Sequence, residues 1–339
     1  MKKARSTYVG PKRSQGPQGP QQLALVAYHA NCIDGFTSAF ITHEALVASG
    51  LEVKLLAMEH KAASVEALLQ ELDTFEYAEL YIVDYSLEVS VLHQIGAEHP
   101  LMISTLLDHH KTAFERYSAP GFKVLYSSYL EDQIATTFIT LDNYKSSAGI
   151  CWSYFHSGLA PVPALVKYVQ DYDLWAFDYG DHTRWVNKYL KGQEMTVKNW
   201  SLILERMDTP LGLQRILREG SKLQAKHDKR VSQIALEALD FFIDGIGCLI
   251  VECSPEFTSD VGHTLAEECG TFGVMYAVDM ENYEVTYSLR SNGDAVDAGV
   301  DVSAIAKEHG GGGHRNAAGF TETLDKFNTR VELMKARRF

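Results

Sequence analysis

Between Leu23 and His110, short apolar runs alternate with helical segments, and this alternation constrains the fold more than any other feature. LALVAYH (23–29), VKLLAM (53–58), LYIVDYS (80–86) and LMISTLLDHH (101–110) are of strand length. The helical segments between them are Phe36–Ser49, stopping at Gly50, then Ser64–Leu72 with Ser64 as its cap, then Ser90–Glu98. Apolar runs bounded in this way predict buried strands, and helices of roughly 9–14 residues between them predict parallel pairing. The expected fold is an α/β domain, a doubly wound, mainly parallel sheet with right-handed crossovers. No internal repeat is visible.

Further along, helices are expected from Ser146 to Leu190. Residues Leu211–Phe242 are long, charged and helical in period, which predicts a connector, broken or bent near Gly220. After it, GCLIVEC, FGVMYAVDM and YEVTYSLRS are strand-like, with helices over Val261–Cys269 and Val302–Glu308. The expected organisation is a basic disordered tail (1–22), a catalytic domain (23–205), a helical connector (206–244), a smaller α/β domain (245–325) and a C-terminal tail (326–339).

Composition narrows the function classes. No apolar run approaches the ~18 residues of a membrane span, and the N-terminus lacks the apolar stretch of a secretory leader. Cys32, Cys151, Cys248, Cys253 and Cys269 form an odd set with no CxxC pair, which speaks against a disulfide scaffold and fits a reducing, cytoplasmic setting. The net charge is −13; residues 1–22 carry five bases and no acid, leaving −18 on the rest. So acidic a body is a poor non-specific partner for nucleic acid. An anionic substrate would need local positive charge, and bound metal ions are the obvious source.

The polar residues sit where such ions would be held. His29, with Asn31 and Asp34 close behind, follows the first strand; Asp84 ends the third; Asp108, His109 and His110 end the fourth. Open parallel sheets bind ligands outside the carboxyl ends of their strands. Hard oxygen ligands mixed with imidazoles suit manganese, iron or zinc. Several carboxylates in one cleft would otherwise repel and protonate. Separately, Gly310–Gly313 precede His314, between a helix (Asp301–His309) and the strand-like Ala317–Phe320. Successive glycines let backbone N–H groups turn toward an anion, and His314 adds a donor.

These motifs, in this order, resemble the DHH phosphoesterases. The namesake triplet is Asp108-His109-His110; His29 to Gly35 resembles the first motif, Asp84 the second, and Asp171 of VQDYDLW the fourth. SSAGICW (146–152) is similar to the family's small-residue helix. Gly310–His314, Ala317–Phe320 and Arg290-Ser291 resemble the DHH-associated second domain. The resemblance covers roughly residues 23–325.

It implies two divalent ions, manganese first, with magnesium or another divalent ion as the alternative. Asp84 would bridge them, His29 would bind one, and Asp34, His109 and Asp171 the other. A water activated between the ions would attack phosphorus. His110 would contact the phosphate or protonate the leaving oxygen, with Asp108 beside it in the catalytic set. Asp173 lies two residues beyond Asp171; in an extended segment both would share a face, and the family pattern favours Asp171. The family's middle aspartate falls on Cys32, or on Asn31 in a longer loop. Cys32 could ligate or be a buried thiol without a role.

The implied substrates are phosphodiester or phosphomonoester bonds of short single-stranded oligonucleotides or nucleotides. Arg290, Gly311, Gly312, Gly313 and His314 would grip the substrate end in the cleft between domains. No membrane partner is expected, and a homodimer is left open. The competing readings are a polyphosphate or pyrophosphate phosphatase and a non-catalytic nucleotide-binding relative.

Overall fold

The computed structural model describes residues 22–118, 129–156, 160–292 and 299–337. The chain divides between Gln224 and Ala225 into two compact units. The division falls inside the segment read as a connector.

In the first unit β1 (Leu23–His29), α1 (Ile33–Ala48), β2 (Glu52–Met58), α2 (Ala62–Thr74), β3 (Tyr77–Val83), α3 (Val89–Glu98), β4 (Ile103–Asp108) and α4 (Lys111–Tyr117) alternate as expected. A hairpin follows, β5 (Tyr129–Ile134) and β6 (Thr137–Asp142), and then α5 (Ser147–His156), α6 (Ala164–Asp173), α7 (Asp181–Lys191) and α8 (Val197–Met207); α9 (Pro210–Ala235) begins in this unit and runs past the division. The sheet order is β2-β1-β3-β4-β6-β5, parallel throughout except for the edge strand β5.

β1 is apolar from Leu23 to Tyr28 because both its faces are covered. Ala24 and Val26 of β1 pack into a core with α1 and α5–α9, while Leu25 and Ala27 face α2–α4. Register then aligns the strand ends. Tyr28 pairs with Val83 and Val83 with Leu107, so His29, Asp84 and Asp108 emerge side by side.

α9 corrects the expected connector. It is one helix of 26 residues that continues through Gly220 without a break. A Cβ at Gly220 would lie 2.0 Å from the backbone oxygen of Trp185. The glycine permits close packing against α7 and is not a hinge. The helix also stops at Ala235, and Leu239–Ile243 is a strand, β7, with Phe241 and Ile243 buried and Leu239, Asp240 and Phe242 exposed.

The second unit continues with β8 (Ile246–Glu252), α10 (Thr258–Cys269), β9 (Phe272–Asp279), β10 (Glu284–Ser291), α11 (Val302–Glu308), β11 (Gly312–His314), β12 (Ala317–Thr323) and α12 (Leu324–Arg337). Its sheet runs β11-β12-β10-β9-β8-β7, with β8 and β9 the parallel pair. It is a smaller α/β unit, and its last helix, Leu324–Arg337, takes in residues 326–337 of the expected C-terminal tail. No helix among the described residues is long and apolar enough to cross a membrane.

Candidate metal centre

The strand ends of the first unit bring two groups of donors around one carboxylate. Asp84 is 1% exposed; its Oδ2 lies 3.4 Å from His29 Nδ1 and its Oδ1 3.4 Å from His109 Nε2. His29, Cys32 and Asp84 form one group whose ligand atoms lie within reach of a single ion; Asp34, His109 and Asp173 form another. His109 Nε2 is 3.2 Å from Asp173 Oδ2 and 4.0 Å from Asp34 Oδ2. Asp84 therefore turns one oxygen to each group. Its backbone sits in the left-handed region, φ 57°, a strained conformation of the kind found at functional sites.

Four buried atoms at the centre, His29 Nδ1, both Asp84 oxygens and His109 Nε2, have no hydrogen-bond partner. Buried polar atoms are rarely left so, and an ion is a common reason. The donor set, imidazole nitrogens mixed with carboxylate oxygens, suits a first-row divalent metal. These residues fit the ions implied by the sequence.

The charges agree. Burial raises the pKa of Asp34, reinforced by Asp173 and Asp84. Burial likewise raises that of Asp173. Burial also opposes ionisation of Asp84, but the His109 and His29 imidazoles more than offset it and hold that carboxyl below the usual range. For His109 burial opposes the charge, yet Asp84, Asp34 and Asp173 together push its pKa to about 10. Without cations, the cluster relieves its repulsion by binding protons.

Supporting residues fix the donors. Asp34 accepts the N–H groups of Ser147 (2.7 Å) and Ala148 (3.1 Å) at the start of α5. This gives the small residues of SSAGICW a purpose: a helix N-terminus reaches a buried carboxylate. Asp108 is fully buried; it accepts from Ser86 Oγ, from the His109 N–H at 2.7 Å, and contacts His110 Nδ1 at 2.7 Å. It positions both histidines, and with Asp84, His109 and His110 it forms a further group whose ligand atoms lie within reach of a single ion. The Asp108 contact outweighs the effect of burial on His110 and raises its pKa. The His110 side chain is 43% exposed.

Two sequence expectations change. Asp171 does not join the cluster. Its carboxylate accepts from the Asp178 N–H (2.8 Å), the Tyr179 N–H (3.3 Å) and Thr183 Oγ1. The segment is helical, not extended, so residues two apart point in nearly opposite directions at ~100° per residue. Asp173 takes the place expected for Asp171. At the first motif, Asn31 is exposed with φ 56°, a turn former, while Cys32 caps α1 and brings Sγ to His29 and Asp84. Burial, with Asp84 and Asp34 adding, raises the Cys32 pKa strongly.

One residue escaped the sequence reading. His60, two beyond the end of β2, stacks on Tyr85 (ring centroids 5.0 Å, 15° between planes) and lies 4.7 Å from the His29 ring. The signal was the one used for the other three strands, a His or Asp at or just past a strand end.

No family model matches this sequence. Protein R106 of Acanthamoeba polyphaga mimivirus is 30% identical over 310 residues, covering 88% of this chain and 67% of R106. The chain belongs to the R106 family. Its fold is similar to that of the pGpG-specific phosphodiesterase PggH from Vibrio cholerae, at TM-score 0.51 and 11% identity, covering 93% of this chain and 98% of PggH. A RecJ exonuclease solved with manganese gives TM-score 0.50 and 16% identity, covering 93% and 90%. The chain spans about half, 52%, of the RecJ chain from Thermus thermophilus (TM-score 0.48, 16% identity, covering 93% of this chain). The first two likenesses place the R106-family chain in the fold that the DHH resemblance led one to expect.

In the second unit of this R106-family chain the glycine run is not a four-amide cradle. The N–H groups of Gly310 and Gly311 close α11, bonding to Lys307 (3.1 Å) and Ala306 (2.8 Å), while Gly312–His314 pair with β12. A Cβ at Gly311 would lie 2.1 Å from the Gly319 oxygen, so close strand packing demands glycine there. The side chain of His314 falls outside what the structure describes. Arg290, on β10, is half-buried; its guanidinium bonds to the Leu289 carbonyl (2.9 Å) and has no carboxylate partner among the described residues.

Proposed function

We propose that this protein is a metal-dependent phosphoesterase that hydrolyses phosphodiester or phosphomonoester bonds of short oligonucleotides or nucleotides. The observation that supports it most is Asp84, buried, strained and without a hydrogen-bond partner at either oxygen, between two donor groups. Asp84 would hold two ions jointly, His29 and Cys32 serving one, Asp34, His109 and Asp173 the other. Bound divalent ions, manganese or magnesium, would supply positive charge to the phosphate and lower the pKa of water.

The chain's own residues do the rest. Asp34, braced by α5, and His109, held through Asp108, keep the donors fixed, so little reorganisation accompanies the reaction. His110 donates Nδ1–H to Asp108, leaving Nε2 to carry a proton to the departing oxygen. Arg290 and His314 of the second unit would hold the phosphate or sugar at the substrate's end.

The test is a panel of labelled di- to decanucleotides, adenosine 3′,5′-bisphosphate, cyclic dinucleotides and polyphosphate, run with manganese, magnesium or chelator. Metal-dependent release from a short nucleotide substrate, abolished in Asp84→Ala, is expected. Turnover of polyphosphate alone, or activity that survives both chelator and Asp84→Ala, would overturn the proposal.

A further inference from the structure

On either side of Asp173 the chain carries a run of aromatic rings, of which Trp175 and Tyr179 are exposed and Tyr172 and Phe177 half-buried. Tyr172, Trp175, Phe177 and Tyr179 fall within eight residues, and Arg184, Lys188 and Lys191 follow at helical spacing along one face of α7. Trp175 is 63% exposed. Its ring centroid is 4.7 Å from that of Phe177 and 5.5 Å from that of Tyr172. The Arg184 guanidinium stands over the Phe177 ring at 4.4 Å and near Trp175 at 6.0 Å; Lys191 lies 5.9 Å from Tyr172.

The backbone holds these rings out against its own preference. Trp175 and Phe177 have φ of 57° and 53°, a left-handed conformation that bulky residues avoid. Asp171 enforces it. Its carbonyl accepts from the Ala176 and Phe177 N–H groups, and its carboxylate accepts from Asp178, Tyr179 and Thr183. A loop needed only for packing would turn an indole inward.

Charge distinguishes this surface from the rest of the molecule. Residues 172–191 hold three acids and three bases, in a chain of net −13, and one of the acids, Asp173, faces the donor cluster. Neither Arg184 nor Lys191 has a carboxylate partner among the described residues. Flat rings interleaved with cations suit a ligand that offers flat faces and anions in alternation, which single-stranded nucleic acid does and a duplex, with its bases stacked inside, does not.

We infer that the Trp175–Phe177–Arg184 surface binds single-stranded nucleic acid, stacking nucleobases next to the phosphate that is cleaved. This rests on the proposed function for the identity of the scissile bond, since Asp173 and Trp175 are only two residues apart. Arg184 and Lys191 meet the phosphates of the bound strand, and Asp171 acts as a positioning residue for the loop.

The experiment compares full-length wild type with Trp175→Asn, which retains a residue tolerant of the left-handed backbone, with Arg184→Gln, and with Leu101→Ala as an exposed control elsewhere on the unit (Leu101 is 95% exposed). Binding of a fluorescein-labelled tetra-adenylate is read by anisotropy in chelator. Cleavage is read as KM and kcat with manganese. The expected result is at least a tenfold rise in Kd and KM for the first two variants and none for Leu101→Ala. If wild type cleaves the oligonucleotide and the two variants match it in Kd and KM, the surface is wrong and the proposed function stands. If wild type binds through Trp175 yet cleaves nothing, the surface stands and the function falls. No binding by wild type, or variants that alter only the protein's own sedimentation and so mark a self-association face, would overturn the inference.

Discussion

Asp171 and Asp173 stand two residues apart, and the structure assigns them opposite work, which a pair of substitutions can separate. Asp171 is 5% exposed and accepts three hydrogen bonds, one of them from Thr183, itself fully buried. Hydrogen bonds to a charged group contribute about 1.5–3 kcal/mol each, and stranded buried donors add to the loss. Counting the two stronger contacts, Asp171→Ala should cost about 4 kcal/mol. For a unit of this size that is a fall in Tm of about 12 °C, at roughly 3 °C per kcal/mol. Metal content per folded molecule should stay at the wild-type level. Asp173 makes no such bonds, and burial together with Asp84 already disfavours its charge. Asp173→Ala should therefore leave the metal-free Tm unchanged or raise it, while lowering bound manganese and turnover. Differential scanning calorimetry in chelator and elemental analysis after manganese loading measure both quantities. If Asp171→Ala emptied the site at an unchanged Tm, and Asp173→Ala unfolded the unit, the assignment would be reversed and the helical geometry of the fourth motif refuted.

Three further outcomes are expected. In chelator, stability should decline as pH rises from about 6.5 to about 10: His109 binds its proton more tightly folded than unfolded, so its contribution is complete below the unfolded pKa and is lost as pH passes the folded one. A Tm flat across that window would contradict the His109 environment. Gly220→Ala should destabilise by about 1–3 kcal/mol through its clash with the Trp185 backbone, although alanine favours a helix by about 1 kcal/mol; a stabilised variant would refute the close contact. Arg290→Ala should lose at least tenfold more activity on a short oligonucleotide than on bis(p-nitrophenyl) phosphate, and equal losses would remove it from substrate binding.

Much of the first unit was legible because its central strands, β1, β3 and β4, are largely buried. LALVAYH (23–29) forms a strand over those same residues, since a run of six apolar residues bounded by polar ones has few other solutions. The β5–β6 hairpin was not legible. Tyr129–Ile134 is mostly exposed, and an edge strand with polar side chains carries no apolar signal. β7 was absorbed into the preceding helix because no glycine or proline separates Ala235 from Leu239. Its alternation of buried Phe241 and Ile243 with exposed neighbours spans five residues, too few to outweigh a long helical period.

The donor cluster was legible for a different reason: register, once strands are parallel, carries the residue after each strand to one edge. That logic placed His29, Asp84 and His109 together without any knowledge of distances, and applied to β2 it would have added His60. It fails where a donor comes from a helix. Between Asp171 and Asp173 the sequence offers no preference, because the choice depends on whether the segment is extended or helical, and then on which turn faces the sheet. What decides it is a satisfied carboxylate. Asp171 spends its oxygens on the loop that follows, and Asp173, left without such donors, is free to meet His109. Their division of labour links the two surfaces described above: the helix that sends one aspartate to the cluster uses the other to hold Trp175 and Phe177 outside it.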